Sequence, residues 1–348
     1  MPIKQVAAIT IDIGHSYLKI IQTGANGQIN KFVVHKMPEG CVDDLNISSE
    51  ETLIQSLRKA KKDSHLPSNK CILVLSGSDI IARHFTLPKL EEEDLYQNIL
   101  HEMSGYLPVD PEKYYVDYKV AETVEEDGVQ MYKVLVTSAS KRVINGYKKA
   151  MKVAGFAPKI VDTSENACEK LLRYNNQVNP EFSIDGGVCF LDFGTKYTRA
   201  NLYNNGLYYV SNDLKRSSQS ITEVIAKVAG KDILTSETLK RKNDYLSGTH
   251  ENLELSKAVK YEIDSLVFEV SRVFDYFRNR TKNTIKTIYI SGGGSLLLGL
   301  KPYLEKHIGI PVEYASGLIS RDNVKKNVDT TGFGILLNAY AATFREEL

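Results

Sequence analysis

The stretch GVCFLDFGTKYTRANLYNNGLYYV, residues 187–210, joins two short strands through a polar turn. The apolar strand Val188–Leu191 ends at Asp192, and the alternating strand Arg199–Tyr203 leaves the turn. Asn205-Gly206 follows and predicts a tight hairpin, because both central residues of a type I′ turn need a positive φ. An acid, a glycine and hydroxyl donors at such a tip can hold a hydrated metal ion and phosphate oxygens, although an ordinary acidic hairpin turn has the same residues.

The same pattern occurs a second time near the N-terminus. The apolar run Val6–Ile11 leads into the turn Asp12–Tyr17, which is followed by the return strand Leu18–Gln22. Asn26-Gly27 then predicts the next hairpin, at nearly the same distance from its acid as in the later copy. A unit repeated in two halves predicts a duplicated domain with one phosphate loop from each half. Two such hairpins that face each other would hold the phosphates of a nucleotide from both sides.

The whole chain has the size and composition of a globular protein with two domains, or with one large domain and subdomains. It has 348 residues, of which 42% are hydrophobic and 25% charged, and its formal net charge is +1. The near-neutral charge argues against a nucleic-acid binder, and no apolar run approaches the roughly 18 residues of a membrane helix. The N-terminus lacks a signal-peptide layout, and four dispersed cysteines indicate neither a disulfide framework nor a zinc site. We therefore expect a cytoplasmic protein that binds no nucleic acid and does not span a membrane.

The order of the predicted elements divides the chain into two lobes and an insert. Between its bounding prolines, the segment 88–158 has the order helix, strand, strand, helix, which predicts a small inserted α+β subdomain. We assign residues 1–87 to the first lobe, which continues at 159–186 and in a closing helix over 332–348. Residues 187–331 form the second lobe. The predicted fold class is α/β, with two duplicated lobes around a nucleotide cleft.

A glycine triplet provides a third candidate ligand-binding turn. The buried-type strand Ile285–Ile290 leads to Gly292–Ser295, and a helix follows. Bare backbone and helix N-terminal amides suit a ligand at such a turn, although a flexible loop has the same composition. The residues that follow lack the Lys-Ser/Thr pair of a Walker loop. His101-Glu102 lacks the second histidine of a zinc-protease helix.

Two residues close to the first turn are candidates for contact with a ligand. Lys19 follows the turn and could reach a phosphate as a point charge, although a lysine on a return strand is usually solvated. His15 lies within the turn, where a solvent-facing loop residue is the competing interpretation.

The three turns together resemble the nucleotide motifs of the actin-like ATPase superfamily. Residues 12–19 (DIGHSYLK) resemble its first phosphate motif, residues 192–198 (DFGTKYT) its second, and residues 290–295 (ISGGGS) its adenosine motif, in the same order and at similar separations. Within the superfamily the chain is most similar to the PilM family of type IV pilus assembly, and is also similar to the division protein FtsA. The segments that point to the PilM family are DY at 117–118, AGFAP at 154–158, VFDYF at 273–277 and the region 291–309.

The resemblance implies that ATP and Mg²⁺ bind between the two lobes. Asp12 and Asp192 match the acids that hold Mg²⁺ through water, and Lys19 matches the basic partner in the first motif. Glu165 resembles a glutamate that helps to position metal or water, so the implied catalytic residues are these two acids and Glu165. The implied nucleotide-binding residues are Asp12, Gly14, His15, Ser16, Tyr17, Lys19, Asp192, Gly194, Thr195, Lys196, Thr198, Glu237, Lys240, Gly292, Gly293, Gly294 and Ser295.

Some of these positions fit the family pattern better than others. Glu237 and Lys240 resemble a Glu-x-x-Lys pair that contacts the adenosine. His15 and Lys196 stand where the family more often has small polar residues, so the phosphate turns of this chain depart from the family pattern at these two positions.

The resemblance also implies a protein partner. PilM-like proteins bind the short N-terminal cytoplasmic peptide of the membrane protein PilN in a groove beside the inserted subdomain, and pilus motor components are further candidate partners. FtsA-like proteins instead end in a membrane-targeting helix after a linker. Here the sequence stops at Arg345–Leu348 directly after a predicted helix of the fold, which favours the PilM family. We therefore expect a protein at the inner face of the membrane, attached through a partner.

The function predicted from the sequence is an ATP-binding scaffold of pilus assembly with slow or negligible ATPase activity. Nothing in the sequence resembles a strong general base, so ATP is expected to act mainly as a structural ligand. One alternative is a small-molecule kinase of the same fold, in which an acid in the cleft activates a substrate hydroxyl. The sequence has no further acid in a motif context, which disfavours the kinase. The other alternative is a filament-forming division protein of the FtsA type.

Overall fold

The computed structural model describes residues 2–24, 27–107, 110–248, 250–319 and 333–346. The chain divides into two compact units, one formed by Met1–Asp12, Lys19–Val34 and Ser164–Leu348, and the other by Ile13–Leu18 and His35–Thr163.

The strands of the described residues are β1 Ile3–Gln5, β2 Ile9–Ile13, β3 Tyr17–Thr23, β4 Ile29–Lys36, β5 Val42–Asp43, β6 Asn46–Ile47, β7 Lys70–Leu75, β8 Ile80–Pro88, β9 Tyr114–Glu126, β10 Val129–Ser140, β11 Ala157–Thr163, β12 Gly187–Phe193, β13 Thr198–Asn204, β14 Leu207–Leu214, β15 Ile285–Ser291, β16 Val312–Tyr314 and β17 Phe344–Glu346. The α-helices are α1 Glu50–Ser64, α2 Glu92–Ser104, α3 Lys141–Val153, α4 Ser164–Val178, α5 Ser218–Ala229, α6 Ile233–Lys242, α7 Leu253–Thr281, α8 Leu300–Ile308 and α9 Leu337–Ala341.

The stretch 187–210 forms the centre of a five-stranded sheet with the order β14-β13-β12-β15-β16. Strand β12 is antiparallel to β13 and parallel to β15. This register sets Asp192 opposite Arg199 on one side and opposite Ser291 on the other. Asn205 and Gly206 have φ values of 50° and 76°, as a type I′ Asn-Gly hairpin requires.

Helices α5 and α7 cover this sheet and supply much of its core. The apolar side chains of α7 recur at helical spacing, and its inward-facing residues Ile263, Leu266, Val270 and Phe277 are buried. Its outward face mixes charged residues with the exposed side chains of Tyr261, Phe268 and Tyr276. In the described part of the chain no helix is both long and apolar enough to cross a bilayer. Helix α5 begins at a capping box, in which Ser217 and Ser220 exchange side-chain and backbone hydrogen bonds.

The first acid lies at the end of a fully buried strand. All five residues of β2 are buried, and Asp12 among them is only 4% exposed. Strands β2, β3 and β4 are successive neighbours in one sheet. Asn26 of the predicted Asn-Gly turn lies outside the described residues, whereas Gly27 has a φ of 75°.

The end of the chain differs from the predicted closing helix over 332–348. The short 3-10 helix Phe333–Leu336 and α9 are followed by β17, which pairs antiparallel with β1. Phe344 is completely buried, and the strand pairing supplies hydrogen-bond partners to the backbone of β1, which a helix would leave without a partner strand. The helix prediction was therefore wrong beyond Ala341, while Gly332, Glu347 and Leu348 lie outside the described residues.

The second unit contains a three-stranded antiparallel sheet with the order β8-β10-β9. Helix α2 packs on this sheet around a small core of Leu95, Ile99, Met103 and Val134. The sheet takes in β8 from Ile80 onward, which is earlier in the chain than the predicted start of the insert. Helix α3 contacts α1 and β11, and β11 is parallel to β7. The lobe boundaries drawn from the sequence stay a prediction.

Two buried tyrosines of the fold differ in whether their hydroxyls have a partner. Tyr203 donates its hydroxyl hydrogen to the backbone oxygen of Glu165 at 2.9 Å, whereas the hydroxyl of Tyr147 has no hydrogen-bond partner among the described residues. We expect Tyr203→Phe to lower the free energy of unfolding by about 1 kcal/mol, because it removes a buried hydrogen bond. Tyr147→Phe should leave that free energy unchanged or raise it by up to about 1 kcal/mol, because it removes an unpaired polar group.

Urea denaturation of the two variants measures this difference directly. Both changes remove one oxygen from a fully buried ring, so each variant is the control for the other. Equal losses of stability in the two variants would contradict the assignment.

Candidate functional site

Asp12, Lys19, Asp192 and Asn338 form a cluster of polar groups at the ends of the two acid-tipped strands. The ammonium of Lys19 on β3 lies 3.0 Å from Oδ2 of Asp12. Asn338 on α9 donates an Nδ2 hydrogen to Oδ2 of Asp192 at 3.3 Å. Burial disfavours the charged form of Lys19, but the carboxylates of Asp12 and Asp192 outweigh burial and raise the lysine's pKa. Lys19 thus pairs directly with Asp12, while Asp192 acts on the same ammonium through its charge at longer range.

The ionised form of Asp192 is costly in this environment. Burial raises the pKa of its carboxyl group, and the negative charge of Asp12 acts in the same direction. The charges of Lys19 and Arg199 and the hydrogen bond from Asn338 lower this pKa, without cancelling the effect of burial. The carboxylate of Asp192 is therefore only partly compensated by protein groups and can accept a further cation.

The glycine triplet packs directly against the second acid-tipped turn. A Cβ atom on Gly292 would collide with Oδ1 of Asp192 and would lie 2.7 Å from the backbone oxygen of Phe193. Gly292 also has a φ of 78°, which side-chain-bearing residues rarely adopt. A Cβ on Gly294 would lie 2.6 Å from the ring of Phe193, whereas one on Gly293 would meet open space. Ser295 donates its hydroxyl hydrogen to the backbone oxygen of Gly292 at 2.7 Å and so closes the turn.

The second turn also connects to the beginning of α5. The backbone oxygens of Gly194 and Thr195 accept hydrogen bonds from the N–H groups of Ser218 and Gln219, each at 3.0 Å. Thr198 donates its hydroxyl hydrogen to the backbone oxygen of Arg216 at 2.6 Å. This hydroxyl, predicted to contact the cofactor, is thus already engaged within the protein. Lys196 is half-buried in the same turn.

Glu237 and Lys240 of α6 lie beside α5. The ammonium of Lys240 is 2.6 Å from Oε2 of Glu237 and donates to the hydroxyls of Ser218 and Thr222. Burial lowers the pKa of Lys240 despite the neighbouring carboxylate, and contacts with Lys240 lower the pKa of Glu237 despite its partial burial. Through Ser218, this pair belongs to the same hydrogen-bonded region as the second turn.

The first turn, residues 13–18, is closed by its own backbone. Gly14 donates its N–H to the backbone oxygen of Tyr17 at 3.0 Å, and the oxygen of Ser16 accepts from Met37. Nε2 of His15 accepts a hydrogen bond from the backbone N–H of Asp44 at 2.8 Å. An accepting Nε2 cannot carry a proton, so His15 in this arrangement is a neutral side chain that supports the loop.

Glu165 lies in the first turn of α4, where it belongs to a junction of charged groups. Arg199 donates Nε and Nη2 hydrogens to the two carboxylate oxygens of Asp213 at 2.6 and 2.7 Å. Its Nη1 lies 3.5 Å from Oε1 of Glu165. Oε2 of Glu165 is buried and has no hydrogen-bond partner among the described residues. Glu165 and Asp192 are linked through this arginine, because the charge of Arg199 also lowers the pKa of Asp192.

Three residues of the site were missed by reasoning from the sequence. Arg199 and Asp213 pair across the neighbouring strands β13 and β14. Both strands alternate between apolar and polar residues, and this alternation did not indicate that Arg199 is buried. Asn338 is the single polar residue in the apolar run 335–342, ILLNAYAA. That isolation was a signal of a specific partner, because a buried amide needs hydrogen bonds.

The donor set suits a magnesium ion held together with phosphates. In the described part of the chain no group of three or more His, Cys, Asp or Glu side chains could hold a metal ion. Mg²⁺ is commonly bound by one or two carboxylates, with water and substrate phosphates completing its octahedron. Asp12 and Asp192 supply two carboxylates around a single ammonium, so the surplus charge is negative. The residues present therefore fit Mg²⁺ bound with a phosphorylated ligand.

Comparison with known families identifies the chain. A family model described as type IV pilus assembly protein PilM matches residues 10–332. The chain belongs to the PilM family. No curated protein gives a significant match to the sequence.

Solved structures agree with this assignment at the level of the fold. A chain of the PilM-PilN type IV pilus biogenesis complex matches with a TM-score of 0.81 at 21% identity, over 98% of this chain and 99% of that one. The ethanolamine utilization protein EutJ from Carboxydothermus hydrogenoformans matches with a TM-score of 0.58 at 13% identity, over 99% and 89% of the two chains. MreB5 of Spiroplasma citri bound to AMPPNP matches with a TM-score of 0.54 at 12% identity, over 96% and 94%. The predicted α/β actin-like ATPase fold is confirmed.

The raised pKa of Asp192 predicts that its ionised carboxylate lowers the free energy of unfolding of this PilM family member. Asp192→Asn should raise the melting temperature by a few degrees, because it removes a carboxylate whose ionisation is disfavoured in the fold. Since the folded pKa is raised, this group makes stability fall as pH increases from the ordinary carboxyl pKa upward. The gain in the variant should therefore be larger at neutral pH than near pH 4.

Asp213→Asn is the matched control for this measurement by scanning calorimetry. It is the same isosteric change at a carboxylate that Arg199 holds with two hydrogen bonds. We expect it to lower the melting temperature, because it weakens a charge-assisted pair. A lower melting temperature for Asp192→Asn would contradict the assigned imbalance.

Proposed function

We propose that this PilM family member is an ATP-binding scaffold of type IV pilus assembly. The single observation that carries the nucleotide part is the cluster of Asp12, Asp192 and Lys19, with Gly292 packed on one of the acids. In the proposed complex Mg²⁺ takes the place of Lys19 beside the two strand-end acids, and phosphate oxygens bind the ammonium of the lysine. The fold supports the same proposal, since it is also the fold of an MreB5 structure bound to AMPPNP.

In this proposal the cofactors are ATP and Mg²⁺. Asp12 and Asp192 hold the metal through water, and Lys19 contacts a phosphate. Thr195 of the second turn also contacts the phosphates, whereas the N–H of Gly194 stays engaged with the backbone oxygen of Tyr197 at 3.0 Å. When Mg²⁺ is bound to Asp12 and Asp192, it offsets the negative charge that these acids present to Lys19. The phosphates of the nucleotide then supply the negative charge that stabilises the ammonium of Lys19.

The adenosine is assigned to the glycine triplet and α6. Gly292 and Gly294 have no room for side chains, which leaves Gly293 as the open backbone for a base or ribose. Glu237 and Lys240 form an ion pair in which the lysine is buried and the glutamate is partly exposed, and a ribose hydroxyl can join it as donor and acceptor. Ser218 belongs to both regions, because it bonds Lys240 and the backbone of Gly194.

The position of Glu165 supports the proposal of slow or negligible turnover. A general base must lie within hydrogen-bond reach of the attacking water and must be able to take its proton. Glu165 instead lies beside the guanidinium of Arg199, which is itself paired with Asp213. We therefore assign Glu165 a role in positioning groups around the metal rather than in rapid hydrolysis.

The proposed partner is the N-terminal cytoplasmic peptide of a PilN-like membrane protein. The supporting observations are the family and the similarity to a chain from a PilM-PilN complex. We assign the peptide to a groove beside the inserted subdomain, residues 88–158. The protein would then lie in the cytoplasm, attached to the inner face of the membrane through this partner.

Isothermal titration calorimetry with Mg-ATP tests the nucleotide site. Asp192→Ala and Asp12→Ala should each abolish measurable binding, because each removes one of the two carboxylates available to the metal. Asp275→Ala, which removes an exposed acid paired with Arg278 on α7, should bind as the unaltered chain does. Circular dichroism verifies that the variants are folded. Unchanged affinity in Asp192→Ala would refute the proposed site.

Cross-linking tests the partner assignment. A photoreactive peptide with the N-terminal sequence of the membrane protein encoded beside this chain should be captured, and its cross-links should map to residues 88–158 or their immediate neighbours. A scrambled peptide of the same composition is the control. Equal capture of both peptides would remove the partner proposal while leaving the ATP proposal standing.

A further inference from the structure

Positive charge is concentrated in one part of the second unit, although the whole chain is almost neutral. Residues 141–159 include six lysines and arginines and no acid, whereas residues 91–127 include twelve acids and two lysines. The net charge of +1 conceals this separation. Charges of one sign gathered on one surface create a local field, whatever the total charge of the protein is.

Helices α1 and α3 bring the basic residues together. Nη2 of Arg58 donates to the backbone oxygen of Val153 at 3.2 Å, and Lys149 pairs with Glu50 at 2.9 Å, so the helices lie side by side. Strands β7 and β11 adjoin them, with the Cα of Lys70 paired with that of Ala157. We call the exposed basic residues of these four elements the α1–α3 basic face, which comprises Arg58, Lys59, Lys62, Lys70, Arg142, Lys149, Lys152 and Lys159.

Acidic neighbours compensate little of this charge. Lys62, Lys70 and Lys152 form no ion pair with an acid within the described residues. Lys149 pairs with Glu50, but both side chains are well exposed, and such pairs contribute little. The exposed acid Asp63 also lies on α1 beside Lys62, so the face keeps an excess of cations over acids rather than cations alone.

The helix macrodipole explains only part of the arrangement. Cations in a last helical turn are favourable, which accounts for Lys62 on α1 and Lys152 on α3. Lys70 and Lys159 lie on strands, where no such effect exists. Arg142 lies in the first turn of α3, where a cation is unfavourable. The guanidinium of Arg142 donates to Oδ1 of Asn46 at 2.8 Å, which leaves Lys70 and Lys159 as the cations without an internal explanation.

We propose that the α1–α3 basic face binds the anionic phospholipid headgroups of a membrane surface. Six of its eight residues are lysines, whose mobile point charges suit a diffuse layer of phosphates, whereas recognition of single phosphates favours the rigid fork of arginine. Clusters of four to eight basic residues are about the size that binds anionic leaflets. Val153, which is 47% exposed, lies among these charges and can contact the interface.

Binding of the α1–α3 basic face to lipid headgroups is weak by itself, and it strengthens any second attachment of the protein to the membrane. A partner tethered in the same membrane raises the effective concentration of the lipid surface, so modest attractions add to a stable association. This reinforcement rests on the proposed function, whereas lipid binding by the isolated chain does not.

Co-sedimentation of the full chain with vesicles tests the proposal. At low salt the chain should sediment with mixed phosphatidylglycerol and phosphatidylcholine vesicles and not with pure phosphatidylcholine. The triple change Lys59→Glu, Lys62→Glu and Lys152→Glu should reduce partitioning onto the anionic vesicles at least about tenfold. Each lysine or arginine near an anionic surface contributes a similar amount to the binding free energy, and the variant replaces three of them with acids. Raised salt should release the unaltered chain, because it shortens the Debye length.

A second triple variant controls for net charge. Lys227→Glu, Lys231→Glu and Lys257→Glu changes the total charge by the same amount at exposed lysines of the other unit, and it should bind as the unaltered chain does. Equal losses in the two triples would overturn the proposal. Absence of sedimentation with anionic vesicles at low salt would also overturn it.

Two other anionic partners are distinguished in the same set of variants. If ultracentrifugation showed self-association that the first triple abolishes, without vesicle binding, the face would instead meet the acidic residues 91–127 of a second copy, and the membrane proposal would be wrong. Duplex DNA binding lost in that triple, again without vesicle binding, would overturn it equally. Mg-ATP binding measured on the same triple should be unchanged, because none of its three residues belongs to the proposed nucleotide site, so failure at the membrane is separable from failure of the nucleotide proposal.

Discussion

The candidate site depends on one electrostatic constraint, which is that two strand-end carboxylates share a single ammonium. Lys19 pairs directly with Asp12, while Asp192 receives the weaker support of an amide from Asn338. If cations of the protein fully neutralised the two carboxylates, the site would need no external cation. If the carboxylates had no such partner, the cost of their buried charge would unfold the strand ends. The observed balance lies between these limits, which supports the proposal that this cluster binds a metal ion and phosphates.

The segment 333–346 connects the parts of this site that are distant in sequence. The backbone oxygen of Gly334 accepts from Gly292, and that of Ala339 accepts from the hydroxyl of Thr10. Between them Asn338 reaches Asp192, and β17 then pairs with β1. These contacts all lie on one short, buried segment of the chain, so a ligand that broke one of them would also shift the others. The positions of the two acid-tipped strands and of the glycine turn are therefore linked within one unit.

Polar side chains around the site are mostly engaged with one another, and this limits the chemistry available. The hydroxyl of Thr198 bonds Arg216, Lys240 bonds α5, and Arg199 holds Asp213. Each engagement fixes a backbone segment that a nucleotide would touch, which favours binding in one geometry over rapid reaction. The same chain separates its surface charges, with the α1–α3 basic face and the acidic residues 91–127 in the unit that does not contain this cluster.

The resemblance of three ordered motifs predicted the actin-like fold and the family, whereas local patterns in the sequence were sufficient to predict the α/β class of fold, the two acid-tipped hairpins and the glycine turn. These features depend on alternation, on apolar runs and on residues that favour a positive φ, all of which act between neighbours in the chain. Only the tertiary structure decided that Asn338 bonds Asp192 across 146 residues, that Arg199 is held by Asp213, and that the chain returns as a strand at Phe344. Such pairings depend on which buried polar groups packing brings within hydrogen-bond distance, and no periodicity along the sequence records that distance.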